Sequence, residues 1–543
     1  MALPILLMSL WLTAQDSLTI KDIPAAERAM GLQFTPAERD SLFGNVKGMV
    51  QDFSKMRQYP LDNSTPLSTW QSPVLPGMVF NTQQKPVQWI ISNNIAMPTN
   101  KNDLAFYSLL QLASLIKNKK ISSVELTRFF IERLKKWGDT LQCVISLTEE
   151  IALQQAMQAD KEIAAGQYRG PLHGIPYGLK DLFAVKGTKT TWGAEPYKNQ
   201  VIEEDAYVYK RLKASGAVLV AKFTLGALAM GDYWYGGRTK NPWNLKRGSS
   251  GSSAGSASAT VAGLVPFAIG TETWGSIISP STNCGATGLR PTFGSISRSG
   301  AMALSYSLDK IGPICRSAED AAVVFNYIHG TDGKDQAAVQ MPFNYTGKVD
   351  LKKLRIAYAK QYFAAGDTLG NELQVLDTYR KLGATLVPVD FPDSTVYNFD
   401  IMGIIISAEC AAQFDDFTRG ELDDMMTRQG KNDWPNQFRS ARFIPAVEYI
   451  NAYRHRYLLM QKVNAVLQQY DVFICPTYGG NQLAITNLTG HPALCFPTGF
   501  NKNKLPTTIT LIGNLYSEAT LLAVAKAFQD ATGFDEVHPE MFR

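Results

Sequence analysis

The chain pairs a serine-rich loop with a solitary lysine, and these residue types could together activate a serine hydroxyl. Residues 248–279 read GSSGSSAGSASATVAGLVPFAIGTETWGSIIS, and the earlier segment 174–181 reads GIPYGLKD. Glycine lets the backbone approach a substrate and adopt positive φ, both of which a catalytic serine turn needs. Lys180 lies beside Leu179 and the apolar residues 182–185, and burial among them would lower the lysine pKa enough for the neutral amine to act as a base. The pattern predicts a serine hydrolase in which lysine replaces histidine.

The same glycine- and serine-rich run also matches a second catalytic motif. Residues 251–255 fit G-x-S-x-G, the nucleophile turn of α/β-hydrolases, with Ser253 as the nucleophile. That turn joins a strand to a helix, whereas the preceding NPWNLKRGS (241–249) does not have the pattern of a strand. Its base would be His491 or His538, and neither stands in a supporting motif. The run does not fit G-x-x-x-x-G-K-[ST], which excludes a phosphate-binding P-loop.

The segments around these residues alternate between helical and strand-like patterns. Capping signals predict helices that begin after Thr35 and after Ser122, where Glu38 and Glu125 complete the capping boxes. Residues 59–77 are rich in proline and predict an extended connector. Further helices are predicted over 206–214, 371–382 and 517–531 and within 396–470, and strands over 216–222, 384–391 and 471–477. The alternation favours one large α/β domain over several small ones.

Composition narrows the classes of function. The net charge is +5 with both signs interspersed, and no basic stripe follows the chain, so we expect no nucleic-acid partner. Five histidines and six cysteines are scattered without the spacing of a metal site, so we expect no metal and no cofactor. The even number of cysteines would permit disulfides in an exported protein, but the sequence assigns no pairing.

The first residues, MALPILLMSLWLTAQ, predict a secretory signal peptide over 1–15, cleaved near Ala14 or Gln15. The eleven apolar residues from Ala2 to Leu12 are too few to cross a bilayer, which takes roughly 20 residues, so we expect no membrane span. The first basic residue is Lys21, which leaves a buried N-terminal helix as the alternative interpretation. We therefore expect a secreted or periplasmic protein, and a cytoplasmic one if this stretch is not a signal.

Several ordered blocks resemble the amidase signature family, whose members hydrolyse or transfer amide groups. They are GIPYGLKD (174–181), GAVLVAKFTLGALAM (216–230), the serine-rich run from 251, TNCGATGLRPTFG (282–294), SLDKIGPI (307–314) and NLTGHPALCFPTGF (487–500). The resemblance implies an α/β fold with a single large amidase-signature domain over 104–535, its mixed central β-sheet flanked by helices on both sides. Residues 16–103 would form an N-terminal helical extension and a Pro-rich connector.

The resemblance also assigns roles residue by residue. Lys180 corresponds to the general base, Ser252 to a bridging serine that follows a cis peptide bond, and Ser276 to the nucleophile. Neutral Lys180 would accept the proton of Ser252, and Ser252 that of Ser276, which attacks the amide carbonyl. The oxyanion hole would consist of the backbone N–H groups of Thr273, Trp274, Gly275 and Ser276.

Three residues beside the expected nucleophile depart from the family pattern. Trp274 stands where the family usually has glycine, Ile278 where it has arginine, and Glu272 where it has aspartate. Trp274 would narrow the site or form one of its walls. The missing arginine would remove a partner of the acid at 272 and make the rigidity of the loop less certain.

We expect an exported amidase that hydrolyses a carboxylic amide through an acyl-Ser276 intermediate, with a small-molecule or peptide-like amide as substrate. One alternative is a glutamine amidotransferase-type subunit that acts on charged tRNA, against which a signal peptide argues. Another is a binding protein on the same scaffold, its turnover disabled by Trp274 and Ile278. Fatty, peptide-derived, aryl and small aliphatic amides all stay open as substrates, and so does the oligomeric state, with a homodimer among the options.

Overall fold

A computed structural model of the protein describes residues 18–56, 58–59, 61–65, 68–69, 71–364, 370–393 and 399–543. The predicted signal peptide over 1–15 lies outside these residues. Within them the α-helices are α1 (Ile23–Met30), α2 (Pro36–Met56), α3 (Leu109–Lys117), α4 (Ser123–Leu141), α5 (Glu149–Ala164), α6 (Tyr207–Ala214), α7 (Ala254–Val261), α8 (Ile278–Cys284), α9 (Ala318–Ile328), α10 (Lys360–Ala364), α11 (Glu372–Lys381), α12 (Phe399–Gln413), α13 (Asp415–Arg419), α14 (Trp434–Ala441), α15 (Ala446–Leu467), α16 (Gln482–Thr489) and α17 (Glu518–Thr532). The strands are β1 (Val144–Leu147), β2 (Pro176–Lys180), β3 (Val218–Phe223), β4 (Tyr233–Trp234), β5 (Gly237–Arg238), β6 (Lys240–Asn241), β7 (Asn244–Gly248), β8 (Ala268–Glu272), β9 (Thr287–Arg290), β10 (Lys310–Cys315), β11 (Ile356–Ala359), β12 (Leu386–Val389), β13 (Val472–Pro476), β14 (Ala493–Phe500) and β15 (Pro506–Gly513).

Eleven of these strands form one mixed sheet in the order β1-β3-β2-β8-β10-β9-β14-β15-β13-β11-β12. β2 runs parallel to both of its neighbours, β3 and β8, while β8 and β10 are antiparallel. Parallel pairing returns at the far edge, where β11 lies between β12 and β13. The large mixed sheet confirms the predicted fold class, and it brings the ends of β2 and β8 side by side.

Both faces of the sheet are buried, as strands in a layered α/β domain require. Along β3, Leu219 belongs to one hydrophobic cluster, whereas Val218 and Val220 belong to another. β13 alternates in the same way, with Ile474 in the first cluster and Phe473 in a third. Because successive side chains of a strand point to opposite faces, helices cover the sheet on both sides.

The predicted capping signals are confirmed in the helices that they open. Ser122 accepts from the N–H of Glu125, and the Glu125 carboxylate accepts from Ser122 in return, which satisfies two N–H groups at the start of α4. Thr35 and Glu38 exchange the same two bonds at the start of α2. The remaining predicted helices and strands are present within a few residues of their expected bounds, and four helices (α12–α15) lie within 396–470.

One expectation from the sequence is wrong. The segment before the serine run, which has no strand pattern, contains β7, paired with β6 in a separate two-stranded ribbon. Most residues of β7 are solvent-exposed. The strand is therefore stabilised by its hairpin partner and not by a buried face, which is why alternating hydrophobicity did not indicate it.

The structure also shows the state of the cysteines and the character of the helices with respect to a membrane. All six cysteines are buried free thiols. None of the helices among the described residues combines the length and the apolarity that crossing a membrane demands.

Candidate active site

Lys180 is the last residue of β2, and its side chain is completely buried. Its Nζ donates to Ser252 Oγ at 2.7 Å and to Thr271 Oγ1 at 2.8 Å. Burial lowers the pKa of Lys180 to about 7, against the opposing influence of the carboxylates of Asp309 and Glu272. Removal of water disfavours the ammonium form. The neutral form of Lys180, which can accept a proton, is therefore accessible near neutral pH.

Ser252 lies in the loop between β7 and α7 and is buried against β2. The Gly251–Ser252 peptide bond is cis, as the resemblance implied. A Cβ atom added at Gly251 would come within 1.8 Å of the carbonyl oxygen of Gly231. Glycine is therefore required at 251, because it lets the loop pack closely enough to place the Ser252 hydroxyl on Lys180.

Ser276 follows β8 in the turn that leads into α8, and it is partly exposed to solvent. Its carbonyl oxygen accepts from the N–H of Ser253 at 3.1 Å, which joins this turn to the loop that carries Ser252. Gly275 has φ +86°, which glycine adopts readily. Among the described residues, the N–H groups of Gly275 and Ser276 donate to no acceptor, and the Ser276 hydroxyl has no hydrogen-bond partner. The turn thus presents free donors next to a free hydroxyl, the arrangement an oxyanion hole needs.

Ser253 is the nucleophile of the alternative motif, and its hydroxyl is occupied by hydrogen bonds to the backbone. Its Oγ accepts from the N–H of Thr271 and donates to the carbonyl oxygen of Thr271, both at 3.1 Å, and the side chain is fully buried. His491 instead pairs with Thr489, and His538 stacks on Phe106 with the ring centroids 4.1 Å apart. A strand and a helix do flank this turn, but the hydroxyl of Ser253 is engaged by Thr271 in the structure and the two histidines lie in other contacts.

Known proteins resemble this chain over the region that contains the site. A family model described as Amidase matches residues 125–486 of this chain. The chain belongs to the amidase family. The matched region contains Lys180, Ser252 and Ser276 together, so the loop contacts described above lie within the family domain.

Relatives of this amidase include enzymes of two kinds. The chain is 34% identical to a glutamyl-tRNA(Gln) amidotransferase subunit of Coxiella burnetii, over 80% of this chain and 99% of that protein. The native peptide amidase of Stenotrophomonas maltophilia has a similar structure, with a TM-score of 0.71 and 28% identity over 80% of this chain and 98% of that one. The corresponding amidotransferase subunit from Thermotoga maritima gives a TM-score of 0.66 and 25% identity over 79% and 95% of the two chains. Family and relatives together make this protein an amide-hydrolysing enzyme, which sets aside the interpretation as a binding protein.

The structure supplies Glu272 of the amidase with a partner that sequence reasoning missed. Arg290, at the end of β9, donates to Glu272 Oε1 at 3.0 Å, and both side chains are fully buried. Asn487 donates to the same oxygen at 2.8 Å, and the N–H groups of Ile277 and Ile278 donate to Oε2 at 2.9 Å. Burial alone would raise the pKa of Glu272, but the Arg290 charge and these donors hold it below its usual value. The turn is therefore anchored despite Ile278, whose side chain is buried in an apolar cluster.

A second missed contact secures the other side of the turn. Thr273 Oγ1 donates to Asp309 Oδ1 at 2.6 Å, while the N–H groups of Leu304 and Ser305 donate to Asp309 Oδ2 at 2.8 and 2.9 Å. Asp309 lies in the block SLDKIGPI that marked the resemblance, and this was the signal that could have found it. Carboxylates thus hold the turn on both sides of Ser276: Asp309 binds Thr273 before it, and Glu272 binds the N–H groups of Ile277 and Ile278 after it.

Proposed function

We propose that this enzyme hydrolyses a carboxylic amide, with Lys180 as the base, Ser252 as the proton relay and Ser276 as the nucleophile. The observation that carries the proposal is the 2.7 Å contact between Lys180 Nζ and Ser252 Oγ in a fully buried setting. A hydroxyl proton rotates freely, so the same contact has Ser252 as its donor when Lys180 is neutral. Lys180 then acts as the base, which is the role that histidine has in other serine hydrolases.

In the first half of the reaction Ser276 Oγ attacks the amide carbonyl carbon. Its proton passes to Ser252 Oγ as the Ser252 proton passes to Lys180 Nζ, which becomes an ammonium ion. Negative charge develops on the carbonyl oxygen, where the N–H groups of the predicted oxyanion hole, those of Thr273, Trp274, Gly275 and Ser276, can stabilise it. The C–N bond then breaks as the proton returns through Ser252 to the leaving nitrogen, because an amine leaves poorly without one.

The second half releases the acyl group from Ser276. Water attacks the ester carbon and gives one proton through Ser252 to neutral Lys180. The C–O bond to Ser276 breaks, and the proton returns to Ser276 Oγ. The products are a carboxylic acid and an amine or ammonia, and the enzyme regains its starting state.

A fluorophosphonate probe tests the nucleophile directly. We expect the wild-type enzyme to be labelled stoichiometrically and Ser276→Ala to take up no label, because the probe reacts with an activated serine hydroxyl. Ser253→Ala is the matched control, since Ser253 lies next to Ser252 and its hydroxyl is engaged by Thr271. Intact-protein mass spectrometry reads the label. Label that persists in Ser276→Ala and disappears in Ser253→Ala would overturn the assignment.

The pH profile tests the base. Because only neutral Lys180 accepts a proton and its pKa is about 7, kcat/KM should rise about tenfold per pH unit below 7 and level off above it. Asp309→Asn removes a negative charge that raises this pKa, so the midpoint of its profile should move to lower pH. Initial rates at constant ionic strength supply the measurement. A profile that is flat from pH 5 to 8 would contradict the role of Lys180.

A second candidate function is that of the hydrolytic component of a glutamyl-tRNA(Gln) amidotransferase. It is favoured by the Coxiella burnetii relative, which matches this chain over 99% of its own length. In that role the same site would hydrolyse an amide, and the ammonia would be passed to a charged tRNA held by partner proteins instead of being released. Site and chemistry are shared, so the two functions differ in their partners and not in the three residues proposed here.

Location and partners distinguish the two functions. An exported enzyme should be recovered with residues 1–15 removed, and N-terminal sequencing of the native protein reads this directly. Copurification at full length with a tRNA-binding partner, together with glutamine-dependent amidation of charged tRNA, would establish the amidotransferase role instead.

A further inference from the structure

A cavity of about 350 Å³ opens beside the proposed catalytic residues. Its lining includes Thr271, which contacts Lys180, and Thr273, which precedes Ser276 in the turn. Leu182, Met302 and Ile311 supply apolar walls. The volume is at the lower end of the range for small-molecule sites. A compact, apolar group attached to an amide at Ser276 would fit such a space.

One wall of this cavity comes from outside the family domain. Asn63 and Ser64, in the connector after α2, line the cavity, whereas the family match begins at residue 125. The Asn63 side chain accepts from the N–H of Ala303 at 2.9 Å and donates to the carbonyl oxygen of Ala303 at 3.1 Å. It also donates to Gln413 Oε1 at 3.0 Å. Three hydrogen bonds therefore hold Asn63 in place, and two of them go to Ala303 of the cavity lining.

The turn that carries Asn63 is stabilised by its own side chains. Asp62 Oδ1 accepts from the N–H of Ser64 at 2.8 Å and from its hydroxyl at 2.6 Å, and the N–H of Thr65 donates to the Asp62 carbonyl oxygen at 2.9 Å. Aspartate forms this kind of turn readily with the backbone two residues on. The wall is thus a fixed turn, which we name the connector turn (residues 62–65).

Charged side chains of the cavity are mostly engaged with one another or with the backbone. Arg298 and Asp335 form a two-pronged pair at 2.7 and 2.8 Å. Asp309 is held by Thr273 and by two backbone N–H groups, and Lys310 donates to the carbonyl oxygen of Leu308. Glu204 and Lys334, which also line the cavity, are solvent-exposed. A charged substrate group that reached Arg298, Asp309, Lys310 or Asp335 would have to displace these internal partners, so the buried part of the cavity favours an uncharged group.

We infer that the connector turn determines the size of substrate that this amidase accepts, and that the substrate is an amide with a compact, uncharged, apolar acyl group. This inference rests on the proposed function, because the acyl group enters the cavity only when its carbonyl carbon is at Ser276. Asn63 lines the cavity together with its partner Ala303, so we expect an acyl chain that is too long to meet this wall. Loosening the wall should admit longer chains, and filling the space beside it should exclude them.

A series of straight-chain primary amides with 3 to 12 carbons, assayed by ammonia release, tests the inference. The readout is the ratio of kcat/KM for the longest amide to that for a four-carbon amide. Asn63→Ala removes the three anchoring bonds and should raise this ratio at least fivefold. Ser64→Trp adds bulk where the turn lines the cavity and keeps the backbone bond from residue 64 to Asp62, although the hydroxyl bond is lost, so it should lower the ratio at least fivefold. If the connector turn limits the length of the acyl chain, the two substitutions should shift this ratio in opposite directions.

The matched control is Asn344→Ala, which loosens the segment that follows the connector, away from the cavity. Asn344 binds the N–H of Lys85 at 2.7 Å and the carbonyl oxygen of Gln83 at 2.9 Å. In this variant, the ratio of kcat/KM for the longest amide to that for the four-carbon amide should stay within twofold of the wild-type ratio. If wild type hydrolyses these amides and neither turn variant changes the ratio, the inference is overturned while the proposed function stands. If wild type hydrolyses none of them while Ser276 still takes up the fluorophosphonate probe, the inferred substrate class is wrong, and loss of the labelling as well would overturn the proposed function.

Discussion

Replacing Lys180 by methionine should lower kcat/KM for an amide by about 10⁴-fold or more, since loss of one member of a catalytic triad typically costs that much. Methionine keeps most of the side-chain volume but cannot accept a proton. Without the base, the Ser276 hydroxyl would have to lose its proton to water in the transition state. Steady-state rates, with protein concentration corrected by active-site titration of wild type, give the comparison. A loss below about tenfold would show that Lys180 is not the base.

The same substitution should increase the stability of the folded protein, although it decreases the activity. Burial lowers the Lys180 pKa from 10.5 to about 7, so below pH 7 the folded protein bears a cost on the order of 4–5 kcal/mol. Between pH 7 and 10.5 the unfolded chain binds one proton more than the folded one, and wild-type stability therefore rises with pH. Methionine carries no such cost, although Ser252 and Thr271 lose a hydrogen-bond partner worth about 1–3 kcal/mol.

Lys180→Met should consequently be more stable than wild type at pH 6, and its advantage should fall by about 1.4 kcal/mol per pH unit above pH 7. Urea unfolding across this range measures the difference. Lys222 supplies a matched control, because it is equally buried on the adjacent strand β3 but is paired with Asp181 at 2.8 Å. Lys222→Met leaves the Asp181 carboxylate buried without its cation and should destabilise the protein. Equal effects of the two substitutions would contradict this account of Lys180.

Sequence reasoning reached the fold because the elements of this domain are locally encoded. Both faces of the sheet are covered, so its strands are short apolar runs, and the helices between them open with capping residues such as Ser122. The contact between Lys180 and Ser252 was anticipated as well, because the resemblance to the amidase signature family assigned these two residues to one proton relay. Whether these residues catalyse the reaction stays a prediction.

The contacts that the sequence did not reveal join segments far apart in the chain. Arg290 and Asn487 reach Glu272 from β9 and α16, and neither has a local pattern that indicates this pairing. Asn63 reaches Ala303 across 240 residues. Hydrophobic periodicity reports which face of an element is buried, but it does not report which polar side chains meet at that face. Because Ile278 stands where the family usually has arginine, the sequence suggested a less rigid turn than the one in the structure.

Arg290→Met tests how far the turn before Ser276 depends on this buried pair, and it should destabilise the protein by about 3–5 kcal/mol at pH 8. The Glu272 carboxylate would remain buried without its cation, and its pKa would rise as burial became the dominant influence. The folded variant would then bind a proton that the unfolded chain lacks. The loss in free energy of unfolding should therefore become smaller as the pH falls toward 5. A general loss of packing would not produce this dependence on pH.

Two further variants make this prediction specific. Arg290→Lys keeps the charge but loses the second contact of the guanidinium, to the carbonyl oxygen of His491 at 3.0 Å, so it should cost less than methionine. Adding Glu272→Gln to Arg290→Met removes the unpaired charge while an amide oxygen can still accept from the N–H groups of Ile277 and Ile278. The double variant should therefore recover stability at pH 8, and with it part of the activity. If it were less stable than Arg290→Met alone, the charge of Glu272 would not be what Arg290 neutralises, and the turn would be held in place by its hydrogen bonds instead.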